Sequence, residues 1–133
     1  AGGISRLREG DAIRVEIRGP SYPVELRIDY FSLNGRVLHL WPNSVEPTAR
    51  LAAGAAHVFG VDGKLWYAGG APFGTELIAV IATPAPIDLG AARPAIELGG
   101  DYLRDLKRAL ARVHDSSGRA NLVATLLVRT SGP

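Results

Sequence analysis

The chain has 133 residues, of which 47% are hydrophobic, and this length and composition suit a single folded domain with its own core. Its 15 Lys and Arg side chains are nearly balanced by 13 Asp and Glu, and both signs are spread along the whole chain. We expect no nucleic-acid partner, because such partners need basic side chains clustered on one face. The sequence contains no cysteine, which excludes disulfides and thiolate chemistry.

No stretch of the sequence approaches the roughly 18 consecutive apolar residues of a membrane span. The first residues also lack the basic and then apolar pattern of a signal peptide. We therefore expect no membrane insertion by this fragment. Because the chain begins Ala1-Gly2-Gly3, we interpret it as a piece of a longer protein, with residues 1–6 a linker or cloning remnant, residues 7–130 a single domain and residues 131–133 a tail.

The first third of the chain predicts three strands. Apolar and charged residues alternate from Asp11 to Arg18 and again from Val24 to Tyr30, which is typical of half-buried strands. Asn34-Gly35 follows, a strong signal for a tight hairpin turn. The returning strand then covers Arg36 to Trp41, and Pro42 ends it.

The middle of the chain is less regular. Short apolar pieces at 49–51 and 57–59 predict short strands or loops, and Asp62-Gly63 predicts a turn that joins 56–59 to 64–67 as a hairpin. Residues 75–83 are almost continuously apolar, so we expect a central strand buried on both faces.

The last third predicts a long surface connection, one helix and one strand. Residues 84–100 are rich in Pro, Ala and Gly, and residues 120–130 form the final strand. Between them a helix is predicted from Asp101 to about His114, with its apolar stripe at Leu103, Leu106, Leu110 and Val113. The fold class is therefore mainly β and β-sandwich-like, with about seven or eight mostly antiparallel strands and one amphipathic α-helix near the C-terminus.

The order and spacing of several short phrases resemble domain-of-unknown-function family 4384. The resemblance covers roughly residues 7–83 well and the remainder less distinctly. The phrases that carry it are Gly10-Asp11, the strand that contains Tyr30, residues 35–43, Ala53-Gly54, residues 72–78 and Asp101-Tyr102-Leu103.

This resemblance implies a bacterial, mostly β accessory domain that is commonly C-terminal to serine/threonine kinase or caspase-like peptidase domains. It implies no known activity. The chain itself has no glycine-rich nucleotide loop, no His-Arg-Asp phrase and no Asp-Phe-Gly. Any kinase chemistry would belong to another part of the parent protein.

Two aromatic phrases supply the candidate binding residues. A tryptophan at a strand end can anchor a partner, and the Gly-containing bend at 72–76 could present polar and aromatic side chains at a sheet edge. For both aromatic rings, burial in the core is the favoured interpretation. The candidate binding residues are His39, Trp41, Asn43, Phe73, Thr75 and Glu76.

Nothing in the sequence selects a catalytic residue, a metal site or a cofactor. The three histidines, at 39, 57 and 114, have no second ligand at metal-binding spacing. No serine lies in a Gly-x-Ser-x-Gly elbow, and no glycine group has the spacing of a phosphate loop.

We therefore expect a noncatalytic interaction or sensory domain of a larger bacterial signalling or secretion-linked protein, one that binds a protein or envelope ligand through a sheet edge or a loop end. Arg14, Arg18, Arg27 and Arg36 lie on adjacent predicted strands and could form a polar contact face, although solubility explains them equally well. The alternatives are a small hydrolase built from distant residues such as His39, Asp29 and a serine, and a structural spacer. Whether the domain is cytoplasmic or periplasmic depends on the parent protein.

Overall fold

The computed structural model describes residues 4–43, 48–61, 66–89 and 93–133. Strands dominate these residues, and a single long helix lies near the C-terminus. The elements, in chain order, are β1 (Ile4–Arg8), β2 (Ala12–Ile13), β3 (Val15–Arg18), β4 (Val24–Phe31), β5 (Arg36–Trp41), β6 (Arg50–Leu51), β7 (Ala56–Phe59), β8 (Trp66–Tyr67), β9 (Thr75–Thr83), β10 (Ile96–Leu98), α1 (Gly99–Ser117) and β11 (Leu122–Ser131).

One seven-stranded sheet organises the domain. Six of its strands follow the order β1-β11-β9-β4-β5-β10, and β6 pairs with the first residues of β4. The β1–β11 pair is parallel and the other pairs are antiparallel. The apolar segment at 75–83 is the central strand β9, which lies between β11 and β4 and is buried along most of its length, as the sequence predicts.

The sheet is covered on both faces by different layers. Along β4, Val24, Leu26, Ile28 and Tyr30 point into the larger core, which also includes side chains from β2, β3 and β7. The opposite face of the sheet meets the helix, where Val37 and Ile81 are buried against Tyr102 and Leu106. The two faces of β4 therefore have separate functions: one fills the core and the other receives the helix.

The segment predicted as one strand from Asp11 to Arg18 is divided at Arg14 into β2 and β3. Both halves pair antiparallel with the same later stretch of chain, β3 with β7 and β2 with β8. The predicted hairpin between 56–59 and 64–67 is therefore wrong, because β7 and β8 pair with β3 and β2 instead of with each other. The predicted turn at Asp62-Gly63 lies outside the described residues.

Gly60 directly follows β7, at the point where the pairing of β7 with β3 ends. Its φ is +95°, and a Cβ placed on it would lie 2.2 Å from the main-chain oxygen of Ile13. A side chain there is excluded both by backbone conformation and by contact with main-chain atoms. Only glycine lets the chain pass this close to the end of β2.

We predict that Gly60→Ala lowers the free energy of unfolding by about 2–4 kcal/mol, because positive φ alone costs about 1–3 kcal/mol and the contact with Ile13 adds to it. Urea unfolding measures the change. Gly54→Ala is the matched control: its φ is +68° but no atom lies within 4 Å of the added Cβ, so its loss should be clearly smaller. Equal losses in the two variants would show that the close approach contributes nothing.

The β4–β5 hairpin is confirmed, but its turn is longer than a two-residue turn. The Ser32 amide donates to the carbonyl of Arg36, which leaves three residues, Leu33, Asn34 and Gly35, in the loop. Gly35 has a φ of +82°. A three-residue hairpin loop commonly ends in such a left-handed residue, so Asn-Gly favours this turn as well as the shorter one.

Two features of the last third differ from expectation. The connection predicted for 84–100 contains β10, which pairs with β5 and forms one edge of the sheet. The helix is also longer than predicted and its buried stripe is rotated, since Tyr102 and Ala109 are buried while Leu103 is exposed. The stripe turns toward Tyr102 because this side chain bonds to a carboxylate of the sheet.

The ends of the chain contribute to the sheet. β1 begins at Ile4, inside the stretch interpreted as a linker, and pairs with the second half of β11. β11 itself ends at Ser131. The mainly β fold with one helix near the C-terminus is confirmed. No helix among the described residues is long and apolar enough to cross a membrane.

Candidate functional site

A β-bulge in the middle of the sheet decides where the candidate residues of β5 point. Asp29 pairs with His39, but its neighbour Ile28 pairs with Trp41, so Leu40 is an extra residue on β5. Strict alternation would place His39 and Trp41 on the same face. The bulge instead turns Trp41 into the larger core and leaves His39 facing the helix.

His39 is held between two carboxylates. Its Nδ1 lies 2.7 Å from Oδ1 of Asp29, and its Nε2 lies 2.6 Å from Oε2 of Glu97 on β10. The histidine is 5% exposed and Asp29 is fully buried. An ionised carboxylate only accepts hydrogen bonds, so both contacts form together when both ring nitrogens carry a proton.

Arg93 extends this cluster toward the helix. Its guanidinium donates two hydrogen bonds to Glu97, at 2.8 and 2.7 Å, and a third to Asp105 of α1 at 2.8 Å. The Arg93 guanidinium holds the pKa of Glu97 below its ordinary value, with a smaller effect of the same sign from His39, although partial burial opposes both. Arg93 therefore ties β10 to the helix through paired charges.

Tyr102, at the start of the helix, completes the cluster. Its hydroxyl donates to the second oxygen of Asp29 and accepts a hydrogen bond of 3.1 Å from Nε of Arg27. Its ring packs edge-on against His39, with ring centroids 4.5 Å apart. Burial, and then the charge of Asp29, raise the pKa of the Tyr102 hydroxyl well above its usual range.

These contacts form a cluster that joins the sheet, β10 and the helix: Arg27, Asp29, His39, Arg93, Glu97, Tyr102 and Asp105. Three carboxylates face two arginines and a histidine, so the cluster is close to neutral when His39 is doubly protonated. Buried charges are stable only when paired and hydrogen-bonded in this way. We call it the ionic cluster.

The ionic cluster is built to hold elements together, and its geometry offers little for catalysis. A general base needs a ring nitrogen free to take a proton from a substrate, whereas both nitrogens of His39 are bonded to carboxylates. In the described part of the chain no serine bonds to His39, and no group of three or more His, Asp or Glu residues could hold a metal ion. The hydrolase alternative stays a prediction that this geometry does not favour.

The lowered pKa of Glu97 predicts acid sensitivity. A carboxyl with a depressed folded-state pKa stabilises the fold above its unfolded pKa, about 4, and this contribution is lost as the pH falls through the folded value. We therefore expect the free energy of unfolding to fall below about pH 4. Glu97→Gln should lower stability at pH 7 and flatten this acid limb, as measured by urea unfolding between pH 3 and pH 7. An unchanged acid limb in the variant would contradict the assignment.

Glu76, another candidate binding residue, is a buried structural group. Its carboxylate accepts hydrogen bonds from the Tyr30 hydroxyl, the Ser32 hydroxyl and the Leu33 amide. These three donors fix the start of the β4–β5 turn against β9. Burial, and then the bond to Glu76, raise the pKa of Tyr30. Because Glu76 is only 9% exposed and already accepts these three bonds, it is poorly placed to bind a partner.

The remaining candidate residues divide between core and surface. Trp41 is fully buried, as the favoured interpretation predicts, so it is not an exposed anchor. Asn43 donates a 2.7 Å hydrogen bond from its side chain to the Leu40 carbonyl, which fixes the chain after β5. Phe73 is 38% exposed, and Thr75 is exposed on the sheet. Of the six candidates, Phe73 and Thr75 are exposed, and Asn43 is half-buried.

The four arginines interpreted as one polar face do not share a surface. Arg14 and Arg18 lie on the β2–β3 side of the domain and are exposed, as is Arg36 at the start of β5. Arg27 instead faces the helix and bonds to Tyr102. The three exposed arginines, Arg14, Arg18 and Arg36, fit the alternative that they serve solubility.

Sequence patterns missed the most open part of the sheet, which is the first half of β11. β9 pairs with β11 from Leu122 to Arg129, whereas β1 pairs only from Leu127 onward. Residues 122–126 therefore have a strand on one side, and among the described residues none on the other. We call this segment the β11 edge.

The β11 edge is apolar and exposed. Val123 is 59% exposed and Leu122 is 41% exposed, and Leu127, the residue directly after this segment, is 45% exposed. The helix leaves this region open because it lies over β5 and β10 at the other side of the sheet. The sequence feature that marks this region is the run Leu122–Val128, which has no charge and no proline. This run predicts a strand, but it does not predict that the strand is exposed.

The helix-side surface of β11 and β1 continues this exposed region, and we call it the open face. Register places Val123 beside Ile81, and Ile81 packs with the helix, so alternate residues of β11 from Val123 share that side. The same alternation applies to β1 through its parallel pairing. The open face carries Val123, Thr125, Leu127, Arg129, Arg6 and Arg8, with Thr75 directly beside Arg129.

No protein-family model matches this chain, and no curated protein matches it either. The resemblance to domain-of-unknown-function family 4384 therefore stays a prediction.

Proposed function

We propose that this chain is a noncatalytic interaction domain that binds an extended segment of a partner protein by strand addition at the β11 edge. The parent would be a larger bacterial signalling or secretion-linked protein, in line with the family resemblance. The ionic cluster and the helix lie at the β5–β10 end of the sheet, and the β11 edge lies toward the other end of the strand order.

The observation that carries the proposal is the half-paired strand Leu122–Leu126. In an antiparallel strand, main-chain N–H and C=O groups point alternately to the two sides. β9 satisfies one set, and the outward set meets no described strand. An added strand would satisfy these groups and bury the exposed apolar side chains of the edge, which is how β-augmentation gains affinity.

The β11 edge also lacks the usual protection against strand addition. Natural sheets guard their edges with charged side chains, prolines, bulges or very short strands. The opposite edge, β10, is three residues long, follows Pro94 and carries Glu97. The sequence Leu-Val-Ala-Thr-Leu at the β11 edge has none of these features. The comparison favours β11 as the edge that receives a partner.

A direct test uses a fluorescein-labelled ten-residue peptide of alternating valine and threonine as the probe, with fluorescence anisotropy as the readout. We expect saturable binding, and no binding when alternate residues of the peptide are proline. Val123→Lys should weaken binding at least tenfold, because a Lys at an edge opposes strand addition.

Ile96→Lys is the matched control for this test, because Ile96 is exposed to a similar extent on the β10 edge. It should bind the peptide like the wild type. Absence of saturable binding to the wild-type domain, or equal weakening by the two lysine variants, would reject strand addition at β11.

A further inference from the structure

We infer that the segment bound at the β11 edge is acidic beside its apolar core, with carboxylates at the end that meets β1. This inference rests on the proposed function and adds the chemistry of the partner. It comes from the charge of the open face, a feature that the unpaired strand alone does not supply.

Arginines gather at one end of the open face. Register places Arg6 directly beside Arg129 on the neighbouring strand, and Arg8 lies two residues further along the same side of β1. Like charges in directly opposed positions are unfavourable within a sheet. Three guanidinium groups therefore lie near one another at this end, although the formal net charge of the chain is only +2.

In the part of the chain that the structure describes, these arginines have no carboxylate partner. Among the described residues, neither Arg6, Arg8 nor Arg129 forms a salt bridge, whereas Arg50, Arg93 and Arg104 each do. All three unpaired guanidinium groups are exposed. The side chains at this end are thus complementary to a negatively charged group that the described ranges do not supply.

The geometry sets where that charge would lie. A strand added along Leu122–Leu126 would meet the start of β1 at Ile4, which pairs with Leu127. Arg129 and Arg6 are the next pair on the open face, two residues and about 7 Å further along the sheet. Carboxylate side chains at that end of the added strand are within reach of both guanidinium groups, while the apolar centre covers Val123 and Leu127.

An acidic peptide fits these observations better than an anionic membrane surface. The β11 edge offers unsatisfied main-chain groups in strand geometry, which a peptide satisfies and a lipid bilayer does not. The exposed apolar residues Val123 and Leu127 and the charged Arg129 also follow one another along β11, in the way that the side chains of a single extended peptide would.

The test compares three peptides with the same valine–threonine core, flanked at both ends by Asp residues, by Ser residues or by Lys residues. We expect the acidic peptide to bind the wild-type domain about tenfold more tightly than the neutral one, since each exposed ion pair contributes modestly. The basic peptide should bind most weakly. Added salt should reduce the difference between the acidic and neutral peptides.

The double variant Arg6→Ser, Arg129→Ser should bind the acidic and neutral peptides equally, with affinity for the neutral one unchanged. Arg14→Ser, Arg18→Ser is the matched control and should keep the tenfold preference. If all three peptides bind the wild type equally, the acidic partner is rejected while strand addition stands. If none binds, the proposed function itself fails. Binding to vesicles of phosphatidylglycerol and phosphatidylcholine, without binding to the acidic peptide, would also reject an acidic peptide partner.

Discussion

Replacing Asp29 with alanine is expected to lower the free energy of unfolding by about 3–5 kcal/mol, the range for removing one partner of a buried ion pair. Asp29 is fully buried, and its two oxygens bond to His39 and to the Tyr102 hydroxyl. Its loss leaves both groups without their acceptor in a place that water does not reach. Urea unfolding at pH 7, followed by circular dichroism, measures the change.

A second variant at Asp29 separates the effect of its charge from that of its shape, and a variant at Asp101 serves as the control. Asp29→Asn keeps the size of the side chain and one acceptor oxygen, so its loss should be smaller than that of Asp29→Ala. Asp101→Ala, at an exposed position on the same helix end, should change stability by less than about 0.5 kcal/mol. A loss below about 1 kcal/mol in Asp29→Ala would contradict the view that the ionic cluster joins the helix to the sheet.

Replacing Trp41 with alanine is expected to cost about 3–5 kcal/mol, the range for removing a large aromatic side chain from a packed core. Trp41 is fully buried and its ring lies 5.4 Å from that of Phe59, between centroids. The main sheet and the β3–β7 ladder therefore meet through this side chain. Thermal and urea unfolding should both report the loss.

Phe73→Ala is the matched comparison for Trp41→Ala, because both residues were candidate anchors. Phe73 is 38% exposed, so less apolar surface returns to water and we expect a loss of about 1 kcal/mol. Comparable losses in the two variants would show that Trp41 does not occupy the core position described.

Local patterns predicted most of the elements, because each of these is set by neighbouring residues. Alternation predicts β4, the Asn34-Gly35 turn and Pro42 bound β5, the continuous apolar run predicts β9, and helical spacing predicts α1. The periodicity of a buried strand or helix is a property of the segment itself. The fold class followed from the same signals.

What the sequence could not predict depends on residues far apart in the chain. The bulge that turns Trp41 into the core needs one more residue in β5 than in the facing part of β4, and no local pattern marks it. The ionic cluster joins Asp29, His39, Glu97 and Asp105, which come together only after the sheet and helix have formed. Glu97 lay in a segment predicted as a surface connection because its strand is three residues long.

The β11 edge was missed for a related reason. A run such as Leu122–Val128 reads as a buried strand, and only the pairing of β1 with the second half of β11 shows that the first half is open on one side. Valine, threonine and leucine side chains pack on the pleated surface of a strand whether or not both of its sides are paired. Exposure of an apolar strand is therefore a result of topology.

The central claim, that the β11 edge receives a strand, is tested most directly by amide hydrogen exchange of residues 122–126 with and without the acidic peptide. In the free domain we predict alternating protection, because amides that point to β9 are paired and those that point outward exchange quickly. With the peptide bound, the outward amides should become protected as well. Fast exchange of the outward amides in the presence of saturating peptide would contradict strand addition at this edge.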